Sequence, residues 1–556
     1  MTEFRIKPLL NIRRKKSQAT QIELKKLAKA NSNVQALINL GFGKESKEFH
    51  KLGGVLKNMK SLFRLDACIT SVSHNRFEIL YLSLKQVPLR SLKIYFCLAE
   101  DLNDARLKLL SQNLKHFSFL KSLTLQFTLN TFENEETLTS KGVSMLFSSI
   151  KPLNQLSNLK IGFFEMETFD NCCLKELSSA LKNLRSLQTL KLDLSGCSKV
   201  NDEGLANFSK ELKKLTNLTT LGIFMKDCNL IDKDVRSLAG GLIEIKTLTN
   251  LSLNLDLPPQ YIPLEFRRLN SLSVINFDFD LWLTIRDEEM KSFSSCFEFL
   301  VPLKKLKLSF KSCEQITDAG IEYLALGLGY LTSLKSLELY FSNCPKLQKI
   351  GSLAHSFERS INLSELKIIF ERCGDIENQG IETIFTSFRN LIFLVDLNFQ
   401  FAGCKFMNDS SLKLLASDLA SFPHLLKLTL KFSNSQISDI GLESLILNLE
   451  KLPSLNFLDL NFSSCQISDN GMKSLSLCLQ KFKSLISLAL EFSQNIQIGE
   501  KGVESLISKI THLKSLCRIS LCFSECQRMS QQKLKSICTS LKNFTISYND
   551  FEYFYH

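Results

Sequence analysis

LKLSFKSC at Leu306–Cys313 and LELYFSNC at Leu337–Cys344 are nearly the same eight-residue phrase, 31 residues apart. The phrase returns as LKIIFERC from Leu366, LNFQFAGC from Leu397, LDLNFSSC from Leu458 and ISLCFSEC from Ile519. Its apolar and polar positions alternate, as a strand with one buried face requires. Aligned on the second apolar residue of L-x-x-L-x-L-x-F, the chain shows Leu92, Leu123, Leu159, Leu190, Leu221, Leu251, Ile275, Leu306, Leu337, Leu366, Leu397, Leu428, Leu458, Leu488 and Ile519, mostly 29–31 residues apart. Beyond each phrase the period changes. Gly320, Ile321, Leu324, Leu328, Leu331 and Leu334 fall at three- and four-residue steps, which predicts the apolar stripe of a helix. One strand and one helix cannot cover their own apolar face, so successive units must stack to share a core.

The joining segments ITDAG from Ile316, ISDIG from Ile437, ISDNG from Ile467 and VNDEG from Val200 read as helix starts. Asp318 is expected to cap its own helix by accepting from the first free N–H groups, and Gly320 to permit a tight start.

Together, L-x-x-L-x-L, a polar or Cys corner, I-x-D-x-G and L-x-x-x-L-x-x-L resemble the leucine-rich repeats of the ribonuclease-inhibitor-like type, over roughly residues 85–545. The added F-x-x-C makes each unit two or three residues longer than usual for that type. The Phe-, Lys- and Asn-rich, Pro-poor wording is similar to repeat proteins abundant in ciliates. The resemblance implies an α/β leucine-rich-repeat solenoid, a horseshoe of about 15 repeats, with a parallel β-sheet on its concave face and helices on its convex face. In that geometry Phe310, Phe341, Phe370, Phe401, Phe432, Phe462, Phe492 and Phe523 form one stacked core column.

A single core rarely exceeds about 250–300 residues, so 556 residues also favour growth by stacking. The net charge is +13, and residues 1–50 supply +7 of it from 11 Lys/Arg against 4 Asp/Glu. The remainder is too nearly neutral to track nucleic acid, which leaves only the N-terminal arm as an electrostatic contact. Seventeen Cys, no secretory signal and no run of 18 apolar residues predict a reduced, cytoplasmic protein without a membrane span, with cytoskeletal or ciliary placement as the narrower expectation. The Arg/Lys-rich opening MTEFRIKPLLNIRRKKSQ keeps mitochondrial or nuclear targeting as the alternative. Three domains are expected: a basic arm and helical cap over 1–50, with helices between Gln21 and Leu40; a solenoid over 51–545; and an aromatic tail over 546–556.

Cys197, Cys228, Cys313, Cys344, Cys373, Cys404, Cys465 and Cys526 share one offset, taken by Ser435 and Asn495 in two other units. Compact groups that can hydrogen-bond suit a corner where the chain leaves the sheet, so a structural ladder is expected. Cys517, Cys522, Cys526 and Cys538 could suggest zinc, but residues on opposite strand faces do not converge, and no metal is expected. There is no H-E-x-x-H, G-x-S-x-G, P-loop or kinase set, so neither an enzyme, a cofactor nor a small-molecule substrate is expected.

What remains is surface. Positions between the buried strand residues should line the concave face, where Phe224, Tyr340 and Ile369 read as exposed anchors among polar groups. The spacing drops to 24 between Leu251 and Ile275, where DLPPQYIPLEF replaces the helix by an extended connection. Nearby Asp278, Asp280 and Trp282 mark an irregular region over 256–290, either a seam between sub-solenoids or a docking site. Arg13, Arg14, Lys15 and Lys16 could bind an acidic protein surface, tubulin or RNA, or remain a solvated tail. The reading is a non-enzymatic scaffold binding protein partners in a multi-subunit assembly. The alternative is a regulator of an enzyme such as a GTPase, docking in the concave face; the acidic tail of such activators has no counterpart in NFTISYNDFEYFYH.

Overall fold

The computed structural model describes residues 9–12, 34–40, 62–69, 84–85, 87–97, 102–128, 138–228, 230–255, 269–281, 285–419, 421–452, 454–526 and 545–546. The chain divides into two compact units, Met1–Leu257 and Pro258–His556. The division falls within DLPPQYIPLEF; the connection expected to be extended there lies outside the described residues.

In the first unit the strands are β1 Leu9–Ile12, β2 Val34–Leu40, β3 Leu62–Ile69, β4 Ser91–Cys97, β5 Ser122–Thr128, β6 Asn158–Phe164, β7 Thr189–Asp193, β8 Thr220–Met225 and β9 Asn250–Leu255. Its helices are α1 Asp104–Leu114, α2 Ser140–Ile150, α3 Asn171–Leu181, α4 Asp202–Leu212 and α5 Asp232–Leu242. The second unit has β10 Val274–Asp278, β11 Lys305–Ser309, β12 Ser336–Tyr340, β13 Glu365–Ile369, β14 Asp396–Gln400, β15 Lys427–Lys431, β16 Phe457–Asn461, β17 Ser487–Glu491, β18 Arg518–Cys522 and β19 Thr545–Ile546. With these go α6 Asp287–Ser294, α7 Asp318–Leu328, α8 Ala354–Arg359, α9 Asn378–Ser387, α10 Asp409–Leu419, α11 Asp439–Leu449, α12 Asp469–Leu479 and α13 Glu500–Ile510.

Within each unit every strand pairs in parallel with the next in sequence. The register joins the aligned residues directly: Leu92 to Leu123, Leu123 to Leu159, Leu306 to Leu337, Leu488 to Ile519. The fold is the leucine-rich-repeat solenoid. The ladder also extends before Leu92, through Leu65, Ala36 and Leu10. Val34–Leu40, uncharged and with β-branched Val34 and Ile38, is therefore a strand paired with β3 and not part of a helical cap; the rest of the expected helical stretch, 21–33, lies outside the described residues.

The core lies between sheet and helices. Leu306, Leu308 and Phe310 from a strand are buried, as are Ile321, Leu324 and Leu328 from the following helix. The Phe column forms in runs: Phe310, Phe341, Phe370 and Phe401 with ring centroids 5.1, 5.1 and 5.2 Å apart, and Phe432, Phe462, Phe492 and Phe523 at 5.9, 5.9 and 6.2 Å. Phe96, Phe127 and Phe163 repeat the arrangement in the first unit at 4.8 and 4.7 Å.

Two further ladders bind repeat to repeat. At the corner, Cys313 Sγ donates to the Phe279 carbonyl at 3.2 Å, Cys344 to Phe310 at 3.1 Å and Cys373 to Phe341 at 2.9 Å. Asn495 makes the same bond to Phe462 at 2.8 Å. Each Cys thus satisfies a carbonyl one repeat back, as the structural reading expected. The residue before it takes a left-handed conformation, as at Ser312, Asn343 and Gly403, and its N–H donates to the next repeat, Ser312 to Ser342 O at 2.7 Å.

At the helix start the expectation for Asp318 is corrected. Thr317 is the N-cap, its hydroxyl accepting from Ala319 N–H. Asp318 instead reaches forward one repeat and accepts from Gln348 and Lys349 N–H, both at 2.8 Å. Asp439 likewise accepts from the backbone N–H and hydroxyl of Ser468. The glycine follows from this bracket: a Cβ on Gly320 would stand 2.6 Å from Asp287 Oδ1, and one on Gly471 2.3 Å from Asp439 Oδ1. Gly320 leaves room for the preceding repeat's carboxylate, so its role is close approach and not turn geometry.

Candidate functional site

The helix-free face of each sheet carries the side chains that alternate with the core. In the second unit it centres on Tyr340, at the end of β12. Lys307, Lys367 and Lys311 place their ammonium groups 5.0, 5.0 and 5.3 Å from the ring centroid. The phenol donates to Glu338 Oε2 at 2.7 Å, and Glu338 itself lies in register between Lys307 and Lys367. Burial, reinforced by that carboxylate, pushes the phenol pKa well above its ordinary value.

This arrangement corrects the expectation of exposed anchors. Tyr340 is 9% exposed and Ile369 6%. The Lys side chains from flanking strands lie over the ring and keep their charges in water. Ile369 sits in register between Tyr340 and Gln400, whose amide is held on Asn398 Oδ1 at 2.8 Å. Phe224 is half-buried in the first unit, its ring 3.2 Å from where a Cβ would stand on Gly222.

Asp278 and Asp280 are half-buried and already engaged. Asp278 Oδ1 accepts from Asp280 N–H at 3.0 Å. Asp280 accepts from Ser309 Oγ at 2.5 Å and Lys311 N–H at 2.9 Å, with Lys311 Nζ at 3.4 Å. Asp280 thus ties the end of β10 to β11, while Asp278 holds the turn after its own strand. Trp282 and Arg13, Arg14, Lys15 and Lys16 lie outside the described residues.

In the first unit the same face carries a row that sequence reading did not single out. Lys93, Thr124, Lys160 and Lys191 stand in register on β4 to β7, one strand spacing of about 4.8 Å apart. Lys93 shares Asp66 at 3.8 Å, while Asp66 is held more tightly by Arg64 at 2.9 Å. Burial, followed by Lys191 and then Lys93, holds the Lys160 ammonium below its ordinary pKa. Like charges opposite one another on a sheet are destabilising, so this row stores repulsion that an incoming carboxylate would relieve. Its neighbours Tyr95, 38% exposed, and Phe224 add aromatic contact area.

Among the described residues no group of three or more His, Cys, Asp or Glu could hold a metal ion. Cys522 contacts the Ser493 and Ser524 hydroxyls, while Cys526 donates to Phe492 O at 3.4 Å, so each has its own partners. Nor is any helix of the described residues long and apolar enough to cross a membrane.

The family model described as "Leucine Rich repeat" matches residues 186–209 and 454–476. Each match runs from a strand, β7 or β16, through its Cys corner into the D-x-G helix start. These are leucine-rich repeats. Leucine-rich repeats generally mediate contact between proteins. Comparison with curated proteins gives no match. Among solved structures the chain is similar to one titled "Crystal structure of TLR13-ssRNA13 complex", at 15% identity and a TM-score of 0.41. The similarity covers 89% of this chain and 65% of that one.

Proposed function

We propose that this leucine-rich-repeat chain is a non-enzymatic scaffold of the ribonuclease-inhibitor-like type that binds one or more proteins within a larger assembly. The observation that carries the reading is the Lys93–Thr124–Lys160–Lys191 row: Lys93 has Asp66 near it, but among the described residues no ion pair engages the adjacent Lys160 and Lys191, whose charges are left for a partner to compensate. Charged rows of this kind set partner choice and association rate. Tyr95 and Phe224 on the same face supply the aromatic surface on which contact energy concentrates. A reducing, cytoplasmic setting suits the corner ladder, in which each thiol acts as a hydrogen-bond donor only while reduced.

The test is purification of the native protein under gentle conditions. Stable comigration with stoichiometric partners supports the scaffold. Transient association that depends on bound nucleotide would instead favour the regulator of an enzyme such as a GTPase.

A further inference from the structure

The helix side of the first unit carries a groove of about 740 Å³ across α1, α2 and α3. Five lysines line it, Lys108, Lys115, Lys141, Lys151 and Lys175, against one acid, Glu176. Glu176 is committed: it accepts from Lys151 Nζ at 3.0 Å and Ser148 Oγ at 3.2 Å. Among the described residues no ion pair engages the other four lysines, all of which are exposed.

Several helix charges elsewhere are paired. Glu211 of α4 takes Lys214 at 3.0 Å and Lys182 at 3.9 Å, and in the second unit Arg389 meets Asp418 at 3.0 Å and Lys481 meets Glu450 at 2.6 Å. Helix stability accounts for only some of the groove lysines. Lys115 and Lys151 follow the last turns of α1 and α2, where the macrodipole welcomes a cation, but Lys141 stands in the first turn of α2, where it opposes one. The corresponding turns of α1 and α4 hold Asp104 and Asp202.

We propose that this groove docks an acidic stretch of a partner protein, its carboxylates meeting Lys108, Lys115, Lys141 and Lys175. Three helices packed about 9 Å apart span about 20 Å, the reach of roughly six extended residues. Polypeptide fits better than nucleic acid, because the lining has no arginine fork for phosphate and no aromatic ring for a base. The proposal rests on the protein-binding reading and adds a second surface, on the opposite side from the lysine row.

Fluorescence anisotropy of the full chain with a labelled octapeptide of alternating Glu and Ser tests it, beside a Gln/Ser octapeptide and an eight-nucleotide single-stranded RNA. The acidic peptide alone should bind. Combined Lys108→Gln, Lys141→Gln and Lys175→Gln should weaken it at least tenfold without changing the circular-dichroism melt, whereas neutralising Arg13, Arg14, Lys15 and Lys16 should leave it unchanged. Bound peptide should also slow maleimide labelling of groove-lining Cys172 but not of exposed Cys517, a readout that needs no variant. No binding, tighter binding of RNA, loss through the arm variant instead, or unaltered Cys172 labelling would overturn the proposal. Native comigration with partners that survives the triple substitution would then leave the scaffold reading standing by itself.

Discussion

Replacing Gly471 by Ala should destabilise the protein, although helix propensity alone predicts the reverse. Gly471 is the third residue of α12, where Ala is worth about 0.5–1 kcal/mol more than Gly. Its Cβ, however, would stand 2.3 Å from Asp439 Oδ1. That carboxylate must retreat by about 1 Å to reach ordinary contact, which would stretch its 2.8 Å bond from Ser468 N–H beyond hydrogen-bond range. Bonds to a charged acceptor contribute roughly 1.5–3 kcal/mol each, so the net loss should be about 1–3 kcal/mol after the helix gain is subtracted. Urea unfolding of the full chain, followed by circular dichroism, measures it. Two companions isolate the cause. In an Asp439→Ala background the same glycine change should become neutral or stabilising, a coupling that a double-mutant cycle reads directly. Gly240→Ala, near the end of α5 with nothing within 4 Å of its Cβ, should stabilise by about 0.5–1 kcal/mol. A Gly471→Ala protein as stable as its parent, or a cycle with no coupling, would refute the bracket.

Other outcomes follow from the same geometry. Phe401→Ala removes a fully buried ring stacked 4.6 Å from Phe399 and should cost about 3–5 kcal/mol in denaturant unfolding. Lys160→Gln removes the like charge crowded by Lys191 and Lys93 and should raise the melting temperature, more at low salt than at high. Burial pushes the Cys197 and Cys526 thiols up, to about 12 and about 11, so neither carries appreciable thiolate at pH 8. A thiol reagent at that pH should label exposed Cys172 and Cys517 promptly, and Cys197 and Cys526 only on unfolding.

The repeat frame was legible because a period of two on a one-sided sheet places equivalent residues on equivalent rungs; Leu306, Leu337 and Leu366 pair as their spacing requires. β1 to β3 escaped notice because Ala36, Ala67 and Ile69 stand where later repeats hold Leu and Phe. The D-x-G phrase was recognised but assigned to the wrong partner, since the groups bound by Asp318 lie a whole repeat away in the chain. Tyr340 was misplaced for a related reason: alternation says which face a side chain leaves from, but not that Lys307, Lys311 and Lys367 will cover it. Neither lysine cluster of the first unit could be weighed from spacing alone. Their repulsion depends on which residues stand in register and on which carboxylates have been claimed by others.

Lysine footprinting of the native assembly against the isolated chain tests the proposed role most directly. Acetylation of Lys93, Lys160 and Lys191 should slow by tenfold or more in the assembly, while exposed Lys305 and Lys427 on the second unit serve as references. Equal rates at those three lysines in the two preparations would contradict the assignment of that face as the contact surface.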